Sequence, residues 1–129
     1  MSSETSCTGT GFIINNNRIV TNAHVVHRGQ SILCRAQSGG PPKKFECTIE
    51  SIALPLDLAI LKAEDDGFFK DKKHLTLVDE GFENLPHLDD NVTAVGFPTG
   101  GDQVSVTRGV VSRITTTANS LLRVQIDGK

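Results

Sequence analysis

At 129 residues the chain is sized for one compact domain, which buries roughly two thirds of the surface that its unfolded form exposes. Hydrophobic residues make up 37%, and 13 basic against 15 acidic residues give a formal charge of −2, spread along the chain. This balance offers no basic stripe to a phosphate backbone, so nucleic acid is not an expected partner, and no apolar run approaches the ~18 residues that a membrane span needs.

The opening "MSSETSCTGT" lacks the charged-then-apolar layout of a signal peptide and does not read as a strand. The first strand signal is "TGFII", followed by "NNN" at Asn15 to Asn17, which suits a tight hairpin because Asn tolerates positive φ. "RIVT" is the returning strand, and it runs into "NAHVV" with His24 among apolar residues. "SILCRA" and "KFECTIESI" follow, joined by a second turn signal, "SGGPPK". A hairpin centred between Gly40 and Pro41 sets Ile32, Cys34 and Ala36 across from Ile49, Cys47 and Phe45, so that apolar meets apolar at each pair.

That register brings Cys34 opposite Cys47, where a disulfide is sterically conceivable. The wider pattern argues against one: Cys7, Cys34 and Cys47 are an odd count with no CxxC pair, which signals neither a disulfide framework nor a zinc ribbon and favours a reducing compartment. "ALPLDLAIL" and "LAILKA" carry the next strand. The charged, Phe-containing connection beyond it has room for a short helical turn and is mostly a solvated face. "NVTAVGF", "QVSVTRGVVSRI" and "LLRVQI" then complete eight short strands with no long helix. The expectation is an all-β protein in two units, residues 1–87 forming a small antiparallel barrel and residues 88–129 a second set of strands.

Three readings of His24 stay open on the residues alone: a core histidine, a metal ligand or a catalytic base. Asp57 bears on the choice. It is the one charged residue in "ALPLDLAIL", where an ionised carboxylate costs several kcal/mol unless it is paired or hydrogen-bonded. An aspartate that accepts from one imidazole nitrogen fixes the tautomer and favours the cation formed when the other nitrogen takes a proton, so the pair works as an oriented general base. A strand-end aspartate that caps backbone amides is the alternative.

"GTGFIINNNRIVTNAHVV" resembles the histidine motif of the Deg/HtrA serine endopeptidases, and "PLDLAILK" resembles their aspartate motif. "VTAVGFPTGGDQVSVTRGVVSRI" and "LLRVQID" are similar to the strands that open the second barrel in plant-type members, so the likeness covers nearly the whole chain. The resemblance implies a chymotrypsin/trypsin-like fold of antiparallel β-barrels, with the first barrel nearly complete and the second partial. It implies that His24 is the general base and Asp57 its orienting carboxylate, in an endopeptidase that cleaves unfolded or damaged proteins, needs no cofactor and assembles from trimers. The family's GNSGGP nucleophile motif does not occur; the chain ends at Gly128 and Lys129 after "LLRVQID", so the serine is expected beyond Lys129 and the chain by itself is expected to be inactive. The PDZ domains of many members are not represented either.

Ser105 and Ser112 lie inside a strand pattern and Ser120 in the "TTTANS" turn, where none offers an oxyanion-binding surround. Cys34, Cys47, His24 and His27 lack metal-ligand spacing, and His27, His74 and His87 read as surface histidines. "GFPTGGD" lacks the ending of a P-loop and leads into a strand. A non-catalytic barrel that holds unfolded chains is the alternative function. The compartment is not encoded, and for a eukaryotic protein chloroplast, mitochondrion and nucleus all stay open.

Overall fold

The computed structural model describes residues 7–27, 31–36, 43–77, 85–98, 103–116 and 122–128. All eight expected strands are present: β1 (Phe12–Ile14), β2 (Arg18–Thr21), β3 (Ile32–Cys34), β4 (Phe45–Ala53), β5 (Leu58–Ala63), β6 (Asn91–Gly96), β7 (Ser105–Thr116) and β8 (Leu122–Gly128). A single-turn helix, α1 (Ala23–Val26), follows β2, and 3₁₀ turns occupy Leu54–Leu56 and Asp66–Phe69. The first five strands form an antiparallel sheet in the order β1-β2-β5-β4-β3, and the last three a meander, β6-β7-β8.

The β1–β2 hairpin turns on Asn15 to Asn17, as expected from their tolerance of positive φ: Asn16 sits at φ 63° and Asn17 at φ 56°, with Ile14 opposite Arg18. β5 is the central strand, and its side chains alternate, with Ala59, Leu61 and Ala63 buried while Leu58 and Lys62 face out. Leu61, 2% exposed, lies in a core cluster with Ile19, Val26, Cys47, Phe68 and Phe69. The turn at Asp66–Phe69 delivers its two phenylalanines inward because Asp65 caps it, accepting from the Gly67 amide at 2.8 Å. Phe68 then packs edge-on against Phe45, with ring centroids 5.3 Å apart. Beyond this turn the chain returns to the open edge of β1, where the Leu75 amide donates to the Ile13 carbonyl at 2.8 Å.

The β3–β4 register differs from the expected one. Ile32 pairs with Cys47 and Cys34 with Phe45, a slip of two residues that leaves Cys34 and Cys47 diagonal rather than opposite. Alternation has a period of two, so a two-residue slip returns every side chain to the same face and keeps apolar against apolar; hydrophobic matching alone does not separate the two registers. The hairpin apex, Gly40 and Pro41, lies outside the described residues.

In β4 the ladder skips Glu50 between Ile49 and Ser51, and the side chain of this bulge residue accepts from Arg18 Nε at 2.7 Å. A second bulge in β7 skips Ser112, whose hydroxyl donates to the Gln125 carbonyl at 3.2 Å. The chain divides into two compact units, one running to Leu77 and including Phe97–Gln103, the other running from Val78 to Gly96 and resuming at Val104. Phe97 joins the first unit through Thr10, whose hydroxyl accepts from the Phe97 amide at 2.8 Å. Within the second unit Val111 is 1% exposed and exchanges backbone bonds with the turn before β6, donating to the Asp90 carbonyl and accepting from the Asp89 amide.

Candidate active site

His24 is placed by the end of β2. Thr21 closes the strand, Asn22 takes an extended conformation (φ −82°, ψ 142°), and the next four residues turn into α1. α1 is anchored by its buried members, Ala23 at 1% and Val26 at 6% exposure, so the residue between them on the opposite side points outward. The His24 side chain is 67% exposed, which removes the core-histidine reading.

Asp57 reaches the same place from another element. Pro55 starts the 3₁₀ turn at Leu54–Leu56, and Asp57 ends it in the left-handed region (φ 54°, ψ 42°) before β5 begins. Asp57 Oδ2 lies 2.7 Å from His24 Nδ1, and Oδ1 accepts from the His24 backbone amide at 2.8 Å. The Asp57 carbonyl accepts from the Ala23 amide at 3.1 Å and from Asn22 Nδ2 at 3.0 Å. Every polar oxygen of Asp57 is thus occupied by the Asn22–His24 segment, which offsets the conformational cost of positive φ at a residue that tolerates it.

Asp57 makes both kinds of contact at once, since one carboxylate oxygen caps a backbone amide and the other meets the imidazole. The physical ground expected for the pairing, burial in an apolar run, is not what the fold provides. The Asp57 side chain is 46% exposed, and Leu54, Leu56 and Leu58 are 56%, 47% and 42% exposed. The 3₁₀ turn lies at the end of the sheet, where its side chains project past the core rather than into it. The amide of His24 holds the Asp57 carboxyl below the usual carboxylate range, the imidazole and the Ala23 amide act in the same direction, and partial desolvation opposes them.

Two further contributions come from residues the sequence patterns did not single out. Asn22 stands where a helix cap is expected, yet its side chain makes no cap bond to α1 and serves the Asp57 carbonyl instead. Gly9 lies directly on Val25, the neighbour of His24: a Cβ there would stand 2.7 Å from Val25 Cγ2 and 2.8 Å from Cγ1. The neighbouring Thr10 carbonyl accepts from the hydroxyl of buried Thr21 at 2.8 Å, so the segment before β1 braces the strand that leads to His24. An N-cap signal at "TNAH" and the two glycines of "GTGF" are the sequence features that mark these positions.

The other candidates stay apart from this pair. Ser105 and Ser112 are exposed residues of β7, and Ser120 lies outside the described residues. His27, His74 and His87 are exposed. Among the described residues no three metal-ligating side chains converge and no helix is long and apolar enough to cross a membrane.

A trypsin-like peptidase domain matches residues 9–129. The chain is 43% identical over 106 residues to a putative protease Do-like 13 of Arabidopsis thaliana, an overlap covering 82% of this chain and 20% of that protein. It is 38% identical over 124 residues to the mitochondrial protease Do-like 4 of the same plant, covering 92% of this chain and 23% of the relative. Among solved structures it is similar to the crystal structure of Deg5, with a TM-score of 0.69 and 25% identity, covering 92% of this chain and 61% of that one. The chain therefore spans about a fifth of the length of these two relatives.

Proposed function

Because this chain belongs to the trypsin-like peptidase family and, within it, to the Deg/HtrA proteases, we propose that His24 is the general base and Asp57 its orienting carboxylate in a serine endopeptidase acting on unfolded or damaged proteins. The 2.7 Å contact between His24 Nδ1 and Asp57 Oδ2 carries this reading. With Oδ2 accepting from Nδ1–H, the imidazole is held as the tautomer whose Nε2 lone pair is available to a proton. Nε2 takes the hydroxyl proton of a serine as it attacks the peptide carbonyl and returns it to the leaving amine, while Asp57 stabilises the imidazolium between the two steps. Exposure of the imidazole suits a base that must meet a nucleophile carried on another part of the protein.

In this proposal residues 1–87 are the first barrel and residues 88–129 the opening strands of the second. The serine and its oxyanion donors come from sequence outside the 129 residues, so the chain by itself does not turn over substrate. The intact protein is a trimer-based homo-oligomer, in an organelle such as the one named for the mitochondrial relative. The mechanism uses no cofactor.

Reading the transcript past the codon for Lys129 and expressing the extended protein tests this. Casein hydrolysis is expected from a product that carries a Gly-Asn-Ser-Gly-Gly-like segment, abolished by His24→Ala and reduced on the order of 10⁴-fold by Asp57→Asn, which leaves the imidazole in the wrong tautomer. Hydrolysis that survives His24→Ala overturns the assignment. Hydrolysis by the 129-residue chain would instead reveal a nucleophile inside it. The exposed Leu54, Leu56 and Leu58 favour the second reading, a module that holds unfolded chains. Suppression of client aggregation by the inactive chain, unchanged in His24→Ala and Asp57→Ala, is its signature.

A further inference from the structure

Cys34 and Cys47 stand outside the candidate active site and have no part in the proposed chemistry. They occupy the same face of neighbouring strands at diagonal positions, Cys34 opposite Phe45 and Cys47 opposite Ile32. Their sulfurs are 2.7 Å apart, closer than the ordinary contact of two unbonded sulfurs, and both are unbridged thiols. Cys47 is 6% exposed and packs in the core cluster, whereas Cys34 is half-buried at its margin. One thiol is thus fixed and the other is within reach of a small solute.

We propose that Cys34 and Cys47 are an oxidisable dithiol that closes to an intrachain disulfide, a redox-controlled staple between β3 and β4. β3 is the place where a staple matters. It is a three-residue strand at the edge of the sheet, paired on one side to β4 through Ile32, Leu33 and Cys34. Short edge strands are the elements that open first, and a covalent bond within the ladder removes that opening. The sulfurs already meet, so closing to the bonded distance of about 2.0 Å asks for a further approach of only about 0.7 Å between them.

The oxidant is a small-molecule disulfide such as glutathione disulfide. A thiolate of the pair attacks one of its sulfurs, forming a mixed disulfide and expelling one glutathione, which takes up the proton that the protein thiol lost. The neighbouring sulfur then loses its own proton, attacks the protein sulfur of the mixed disulfide and expels the second glutathione. Two protein thiols become one disulfide and one glutathione disulfide becomes two thiols, so electrons and protons balance. The contact pulls the Cys47 thiol down from its ordinary value and pushes Cys34 up, so the first attack by the more accessible Cys34 is the slow step and the neighbouring Cys47 sulfur is the one placed to resolve the mixed disulfide.

Equilibrating the folded chain with glutathione buffers of rising disulfide content, quenching in acid and mapping peptides without reduction tests the proposal. The expected product is a Cys34–Cys47 linked peptide, with an intact mass lower by about 2 Da, and with Cys7 still open to alkylation. Cys7→Ser oxidises in the same way, whereas Cys34→Ser leaves Cys47 with no partner and forms no intrachain link. Closing a loop with 12 residues between the cysteines raises the thermal midpoint on the order of 5–15 °C and slows amide exchange at Ile32 to Cys34. Cys34 and Cys47 both remaining alkylatable in excess glutathione disulfide would overturn the proposal, and so would bonds formed mainly through Cys7. The map of the unmutated chain decides the matter even if the Cys34→Ser variant does not fold.

Discussion

Replacing Gly9 by alanine asks whether the segment ahead of β1 positions the helix that carries His24. The added methyl would meet Val25 Cγ2 at 2.7 Å, Cγ1 at 2.8 Å and Cβ at 3.3 Å. Carbon atoms rest at about 3.5–4.0 Å, so both methyl groups of Val25 are overlapped by about 1 Å and rotation about χ1 exchanges one clash for the other. Val in a helix has one strongly preferred rotamer, which closes that escape further. Either the 9–11 segment lifts or α1 shifts, and overpacking of this kind costs about 1–3 kcal/mol. For a chain of this size that is a drop in thermal midpoint of roughly 5–15 °C.

The assay is a double-mutant cycle by chemical denaturation with Gly9→Ala, Val25→Ala and the pair. Val25→Ala removes both overlapping methyls, so the double variant should be more stable than the sum of the single effects implies, by at least about 0.5–1 kcal/mol. Additive effects would mean that the methyl is accommodated elsewhere, and that Gly9 does not brace α1. Amide shifts of Ala23 to Val26 should move in Gly9→Ala and return toward their original positions in the double variant.

Leu61→Ala, at 2% exposure in the central strand, should cost about 2–5 kcal/mol in urea denaturation, whereas Leu58→Ala, 42% exposed on the same strand, should cost far less. Comparable losses would contradict the alternation assigned to β5. Asn22→Ala removes the side-chain donor to the Asp57 carbonyl and leaves the Ala23 amide as its remaining partner. Hydrogen exchange at Ala23 should quicken while exchange at Leu61 stays unchanged; equal acceleration at both would show global destabilisation instead. The folded-state pKa of Asp57 lies below its unfolded value because the His24 amide and imidazole favour the carboxylate. Its contribution to stability is therefore present above the ordinary carboxylate range and lost as pH falls through the folded value. Denaturation midpoints measured from pH 6 down to pH 2 should fall less steeply in Asp57→Asn than in the unmutated chain. Identical slopes would mean that the pair is not formed in solution.

The resemblance at "TNAHVV" and "PLDLAILK" names the two residues that the fold brings together, but burial of the carboxylate in an apolar run is not what joins them. Asp57 does not need His24 because it is buried; it stands at an exposed end of the sheet and is fixed by bonds from three consecutive residues, Asn22 to His24. An apolar run in sequence reports composition, and the 3₁₀ turn at Leu54–Leu56 converts that run from core to rim. The roles of Asn22 and Gly9 were illegible for a related reason, since each acts through a partner that is distant in the chain.

What the sequence determined by itself is local. Alternation of apolar and polar side chains sets which segments are strands and which face of each is buried, and the tolerance of Asn for positive φ places the turn at Asn15 to Asn17. Tertiary structure decided everything that depends on one strand meeting another. Register is the clearest case, because Cys34 opposite Phe45 and Cys34 opposite Cys47 satisfy the same hydrophobic pattern and differ by a slip of one full period. The separation of 33 residues between His24 and Asp57 is the other: no local preference spans it, and the pair exists because β2 and β5 are hydrogen-bonded neighbours, with Thr21 against Ala59 placing the ends of the two elements side by side.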